Sequence, residues 1–400
     1  MTKAIQFITA ILAFSLLITA CKKDPVDPDP ILCDIHITDD IIENTTWKAS
    51  CVYYVDQSIN VTNNSILTIE PGTIIKFGQG KKLDVSDYSS STGNIIALGT
   101  EKDPILFTSQ AQVKSKGDWW GVWLYEGADS SEFRYCTFEY AGGSGWSGGE
   151  GAITINLAKN VAIDNCAFEK SASYGVLVYQ SRSGLSSFTE NTFIDNTIND
   201  LKLYAYNVSY IGEGNVFSKD IDVRGSLVDA PGDVVWRKQN ANYILINADT
   251  EVGSGTGTGT TLLIEAGASI QFSNFGMTIA YTSAKYGMIK AIGTATDPIT
   301  ITSAAANPSN GDWTAITFYE GSSMGSLFEY CNFSYGGGYV GAPAMIVFKF
   351  EQGPTTTINN CTFSDSEGYG IMLDQVNIDI NYPNLANNTF TNNILGDKNW

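Results

Sequence analysis

The chain of 400 residues is poor in charge, nearly devoid of histidine and without long apolar runs. Charged side chains make up 16% of it, against roughly 25% in ordinary soluble proteins. Acidic residues outnumber basic ones 42 to 23, which leaves a net charge of −19. With no basic stripe to displace counterions, binding along a nucleic-acid backbone is excluded, and no nucleic-acid partner is expected. The single histidine, His36, rules out a histidine-based zinc centre and leaves any Ser-His-Asp triad dependent on that one residue. No metal site and no cofactor is expected. No stretch sustains a helical period. What the chain has in quantity is glycine, at 39 residues, and aromatics, at 12%. Aromatic content of that order excludes disorder over most of the length.

The first twenty residues read as processing signal. Lys3 gives a short basic start, and the apolar run at 8–18 is too short for a comfortable membrane span. It ends in Leu17-Ile18-Thr19-Ala20-Cys21, which resembles a bacterial lipobox, so Cys21 is the expected lipidation site and residues 1–20 the lipoprotein signal peptide. Several acyl chains on one cysteine make a stable membrane anchor. Residues 21–34 form a Pro/Asp-rich tether, extended and solvated because proline recurs every second or third position. A charged segment directly after the lipidated cysteine resembles the surface-export signal of Bacteroidetes lipoproteins, which implies an outer-membrane, cell-surface location.

The body repeats itself at an offset of about 195 residues. Leu67-Thr68-Ile69-Glu70-Pro71-Gly72 returns as Leu262-Leu263-Ile264-Glu265-Ala266-Gly267, and Gly117-Asp118-Trp119 as Gly311-Asp312-Trp313. Tyr135-Cys136-Thr137-Phe138 returns as Tyr330-Cys331-Asn332-Phe333, and Asn165-Cys166-Ala167-Phe168 as Asn360-Cys361-Thr362-Phe363. Trp47-Lys48 pairs with Trp236-Arg237 at a shorter offset, which a Gly/Thr insertion at 253–260 accounts for. The expected division is 35–215 for the first half with its N-terminal cap and 216–400 for the second. Inside each half a shorter step recurs: 30 residues separate Cys136 from Cys166, and 26 separate Cys166 from Thr192. Short alternating runs such as Ile153-Thr154-Ile155 and Val176-Leu177-Val178 surround these units, and Gly, Asn, Asp and Ser separate them.

Steps of this length, each with two or three short strands, describe coils of an all-β, single-stranded parallel β-helix, a solenoid of two duplicated halves. The Cys-x-Phe units then become inward ladders, Cys over Cys and Phe over Phe. The phrasing of the motifs at 67–77, 97–109 and 117–122 resembles the right-handed parallel β-helix lipoproteins of Bacteroidetes, whose fold is the pectate-lyase-like solenoid. That resemblance covers roughly residues 45–395 and implies architecture and location rather than chemistry.

Of the seven cysteines, Cys21 is assigned to lipid. Cys136, Cys166, Cys331 and Cys361 are expected inside as reduced thiols, since a buried cysteine behaves as a small hydrophobe. Cys33 and Cys51 have no counterparts in the second half and are expected to form a disulfide at the leading edge, where a solenoid needs a cap.

Duplication supplies a filter for function. A feature present in both halves is read as architecture, and a feature of one half alone as a candidate. Asp103 and Asp297, Glu70 and Glu265, and Asp118 and Asp312 fall in matching turns and are read as structural. The only adjacent acidic pair, Asp39-Asp40, precedes the body, and His36 stands outside the repeats as a surface or cap residue. Paired carboxylates for glycoside hydrolysis and acids beside a basic residue for lyase chemistry are both missing, with Arg134 the nearest to a base. No catalytic residue is assigned. The aromatics are the better lead. Strand alternation turns Val122 and Leu124 inward, so Trp119, Trp123 and Tyr125 are expected outward. Trp123 aligns with Thr317, and Trp146 lies in a Gly-rich loop before Glu150. Flat exposed rings beside carboxylates suit sugar stacking, so Trp119, Trp123, Tyr125, Trp146 and Glu150 are the candidate carbohydrate-binding residues. Three functions follow: a non-catalytic surface lipoprotein that binds glycan or acts as a scaffold, an adhesin or protein-interaction rod, and a polysaccharide lyase or glycoside hydrolase.

Overall fold

The computed structural model describes residues 33–87, 91–143, 150–181, 183–255, 259–282, 285–319, 325–349, 356–374 and 382–400. Cys21, most of the tether and Trp146 lie outside the described residues. Strand begins at Cys33–Ile37, so the last two residues assigned to the tether already belong to the body.

The chain winds as a right-handed parallel β-helix whose coils visit three faces in fixed order. In the first half, face I is a seven-stranded sheet from Cys33–Ile37 to Thr192–Ile194. Face III is a six-stranded sheet from Thr45–Trp47 to Leu185–Thr189. Face II runs unbroken through both halves as thirteen strands, from Ile59–Val61 to Thr389–Thr391. At about 4.8 Å per strand this sheet measures roughly 58 Å along the axis. Beyond residue 225 the chain keeps the order II, III, I: face III is resumed by Leu227–Val228 and its stack, and face I by Gly232–Trp236 and its stack.

Single left-handed residues make the corners. Tyr135 (φ 48°) and Tyr330 (49°) each join two strands directly, and Asn165 (55°) and Asn360 (54°) do so together with the cysteine that follows. Asparagine tolerates this conformation because its short polar side chain bonds locally. The residues after each corner alternate, which sends Cys and Phe inward: Cys136, Phe138, Cys166, Phe168, Cys331, Phe333, Cys361 and Phe363 are all essentially buried. Asparagine side chains tie coil to coil. Asn191 Oδ1 accepts the Cys166 N–H at 2.9 Å, and Nδ2 donates to the Ile163 carbonyl at 2.8 Å. Asn388 repeats both bonds with Cys361 and Ile358.

The sequence duplication is not a duplication in place. The Cys-x-Phe strands lie on face I in the first half, as Cys136–Glu139, and on face II in the second, as Cys331–Ser334. Gly121–Leu124 lies on face II, and its counterpart Ile316–Phe318 on face III. Thr45–Trp47 lies on face III, and its counterpart Gly232–Trp236 on face I. Every element moves on by one face, so the second half is rotated about a third of a turn about the rod axis. The expected phenylalanine ladder is therefore two ladders. Phe107, Phe138, Phe168, Phe193 and Phe217 stack on face I with centroids 4.5, 5.3, 5.1 and 5.1 Å apart. Phe333, Phe363 and Phe390 stack on face II at 4.8 and 5.1 Å. Each fully buried ring contributes about 1.5–3 kcal/mol through burial.

Cys33 and Cys51 are joined by a disulfide between residues paired in register on face I. Cys136, Cys166, Cys331 and Cys361 are free and buried. Burial pushes the Cys136 and Cys331 thiols up, which keeps them protonated and unreactive.

Candidate functional site

The recurrent residues are architectural at the level of single bonds. Asp118 accepts from Ser109 Oγ at 2.6 Å and the Ser115 N–H at 3.0 Å, and Asp312 accepts from Ser303 and Ser309 at 2.6 and 2.9 Å. Trp119 and Trp313 are both fully buried and stack on Phe77 and Phe272 at 4.1 and 4.9 Å. This corrects the outward assignment of Trp119. Alternation does not reach back to Trp119, because strand begins only at Gly121, whose φ of 122° breaks it.

The other candidates of the first half do not form a platform. Trp123 points outward, opposite to Val122 and Leu124, yet only 7% of it is exposed. Tyr125 is 8% exposed and Glu150 3%. Trp123 stands on face II between Asp84 and Thr154. The Lys82 ammonium lies 5.1 Å from its ring and 5.8 Å from that of Tyr125. Thr154 and Leu177, farther along the same outer column, are also buried, so the face is covered here and the rings act as packing. The matching face of the second half is covered too: Ala342 and Ala344 pack with Ala315 and Val347 into a small apolar cluster outside the main core. Trp146 lies outside the described residues. Arg134 pairs with Glu132 on its own strand at 2.8 Å. His36 is surface-exposed, stacked on Tyr54 and 2.6 Å from Asp56. Among the described residues no group of three or more His, Cys, Asp or Glu is placed to hold a metal ion.

An open groove of about 700 Å³ lies at the seam between the halves. There the coil after Leu201–Tyr204 replaces its face III strand with a short 3-10 helix, Ala205–Tyr210. The cause is a period of three. In a 3-10 helix residues three apart eclipse, and Ala205, Val208 and Ile211 all go to the core at 0% exposure. Asn207 fastens the helix to the coil below: its Oδ1 accepts the Leu185 N–H and its Nδ2 donates to the Ser183 carbonyl. Tyr206 and Tyr210 are thereby turned to solvent beside Tyr204. The groove runs along the rod over the II-to-III corner of four successive coils. Lys159 and Asn160 come from the first, Ser181 from the second, the three tyrosines from the third, and Ser226 and Asp229 from the fourth. Four coils span about 14 Å at the strand spacing. Burial and the neighbouring Tyr210 push the Tyr206 phenol upward, so it stays a neutral hydrogen-bonding group.

None of these residues was singled out in the sequence, although Tyr204, Tyr206 and Tyr210 crowd one short stretch.

A family model of a pectate-lyase-like β-helix domain matches residues 39–145 and 231–340, together more than half of the chain. The solved structure of the Streptococcus pneumoniae surface protein and adhesin PfbA is similar at 10% identity. That similarity covers 92% of this chain and 91% of that one with a TM-score of 0.23, too distant to bear on function. No protein of curated function matches. The two matched segments follow the internal duplication and leave the seam between them, and the chain belongs to the pectate-lyase-like β-helix domain family.

Proposed function

We propose that this protein is a non-catalytic cell-surface lipoprotein, held in the outer membrane through lipid on Cys21, that binds a glycan along the seam groove. The observation that carries this reading is the groove itself. Three tyrosines on one short helix and strand present rings and hydroxyls along a channel of four coils, with polar rims. Tyrosine supplies large, rigid contact area at low entropic cost, and its hydroxyl pairs with sugar hydroxyls. About 14 Å of channel accommodates a short run of sugar residues. A rigid rod on a Pro-rich tether holds such a groove away from the membrane.

A glycan-array screen of the full chain, with product analysis of every hit, tests both parts. Binding without new chain ends is expected, and release of unsaturated or reducing ends from a bound polysaccharide contradicts the non-catalytic reading. Tyr206→Ala and Tyr210→Ala should each weaken binding by about 1–3 kcal/mol and leave the melting transition in place. Cys21→Ala should move the protein out of the membrane fraction.

A further inference from the structure

Next to the groove, on the outer side of face II, two cations stand without an ion-pair partner among the described residues. Lys202 and Arg224 occupy consecutive strands, with Lys202 opposite Asp222 and Tyr204 opposite Arg224. They are diagonal neighbours, about 8 Å apart at the strand spacings. Their inward neighbours Leu201, Leu203, Ile221 and Val223 are fully buried, which fixes both side chains outward.

Each cation rests on a ring. Lys202 Nζ lies 5.1 Å from the centroid of Tyr174, and Arg224 Cζ lies 5.1 Å from that of Tyr204, whose hydroxyl accepts from the guanidinium at 3.0 Å. The one carboxylate between them is engaged elsewhere. Asp222 accepts the Tyr174 hydroxyl at 2.9 Å and the Asn199 amide at 2.7 Å. Among the described residues Lys202 makes no hydrogen bond or ion pair, and Arg224 makes no ion pair. The local sum is one positive charge in a chain of net −19. Burial, with the charge of Arg224 added and that of Asp222 opposing, makes Lys202 give up its proton more readily than an ordinary lysine. An anion between the two cations would remove that cost and take hydrogen bonds from both.

We propose that Lys202 and Arg224 form an anion subsite at the edge of the seam groove, and that the bound glycan carries a carboxylate or sulfate which seats there. The assignment rests on reading the seam as the glycan groove, because Tyr204 belongs to both: it lines the channel and carries Arg224.

The test is calorimetric titration of the full chain with four probes: an oligouronide, the same chain with its carboxyls reduced to alcohols, a sulfated oligosaccharide and its desulfated parent. At least one charged probe should bind about tenfold tighter than its neutral parent, with affinity falling as salt rises. Lys202→Gln should remove that advantage and leave neutral-probe binding unchanged, Arg224→Gln should remove it too, and Lys202→Arg should retain most of it. Whether the oligouronide or the sulfated chain gains the advantage tells carboxylate from sulfate. Equal affinity for both charged probes and their parents, with Tyr206→Ala weakening all of them, overturns the anion subsite and keeps the groove. Binding that ignores both Tyr206→Ala and Lys202→Gln overturns both readings, as does failure of all four probes at millimolar concentration.

Discussion

The two halves share an interior and differ outside it. Trp119 and Trp313, Asp118 and Asp312, and the Phe138–Phe168 and Phe333–Phe363 stacks repeat nearly bond for bond. Trp123 faces outward where the second half has Thr317, and the Cys33–Cys51 bridge has no second-half equivalent. The interior repeats because each coil is packed by the same inward residues, whichever face they occupy. That indifference lets the second half sit one face round from the first. The chain departs from its own repeat at the seam, and an open tyrosine groove forms there.

If the interiors are equivalent, breaking one should cost what breaking the other costs. Phe168→Ala and Phe363→Ala remove rings at matching positions, both fully buried, and each should lose about 3–5 kcal/mol in denaturant unfolding. Values differing by more than about 2 kcal/mol, a spread wider than context alone produces within that range, would refute the equivalence. The disulfide should separate the halves instead. Its reduction should cost about 3 kcal/mol for so short a loop. Hydrogen exchange should then rise in the coil at 45–61 and stay unchanged in the second half.

Trp123 tests the outer faces. As packing rather than platform, Trp123→Ala should destabilise by about 2–3 kcal/mol and leave glycan affinity unchanged, while Thr317→Ala should do little to either. A stable Trp123→Ala variant that has lost binding would return the site to the first half. The smallest difference is a single ion pair. Lys114 Nζ lies 2.6 Å from Glu139, which also accepts from Thr108 at 2.5 Å. The second half has Ser334 bonded to Thr302 in that place. Burial of Glu139 raises its affinity for a proton, but Lys114 and Thr108 outweigh it and hold the carboxyl below the ordinary value of 4.5. A lowered folded value contributes stability above 4.5 that is lost as pH falls through the folded value. Glu139→Gln should cost about 1 kcal/mol near neutral pH, and the difference from wild type should shrink on acidification.

The sequence carried the architecture because strand alternation, the Gly, Asn, Asp and Ser separators and the Cys-x-Phe units recur often enough to be counted. It did not carry the rotation, since an offset measures chain length and says nothing of angle about an axis. The inward turn of Trp119 is not legible from parity, because alternation holds only within a strand and Gly121 starts a new one. Trp123 was placed on the correct side, but parity distinguishes in from out and does not reveal what lies over an outer face. The groove went unread because its period of three, at Ala205, Val208 and Ile211, lasts for one six-residue helix, too brief to stand out from the surrounding strands.

Hydrogen–deuterium exchange of the full chain, with and without the best array ligand, tests most directly whether the seam is the binding site. The seam account predicts new protection within residues 159–229, strongest over Ala205–Tyr210, and none over Gly121–Leu124. Protection centred on Gly121–Leu124 with the seam unchanged would contradict it.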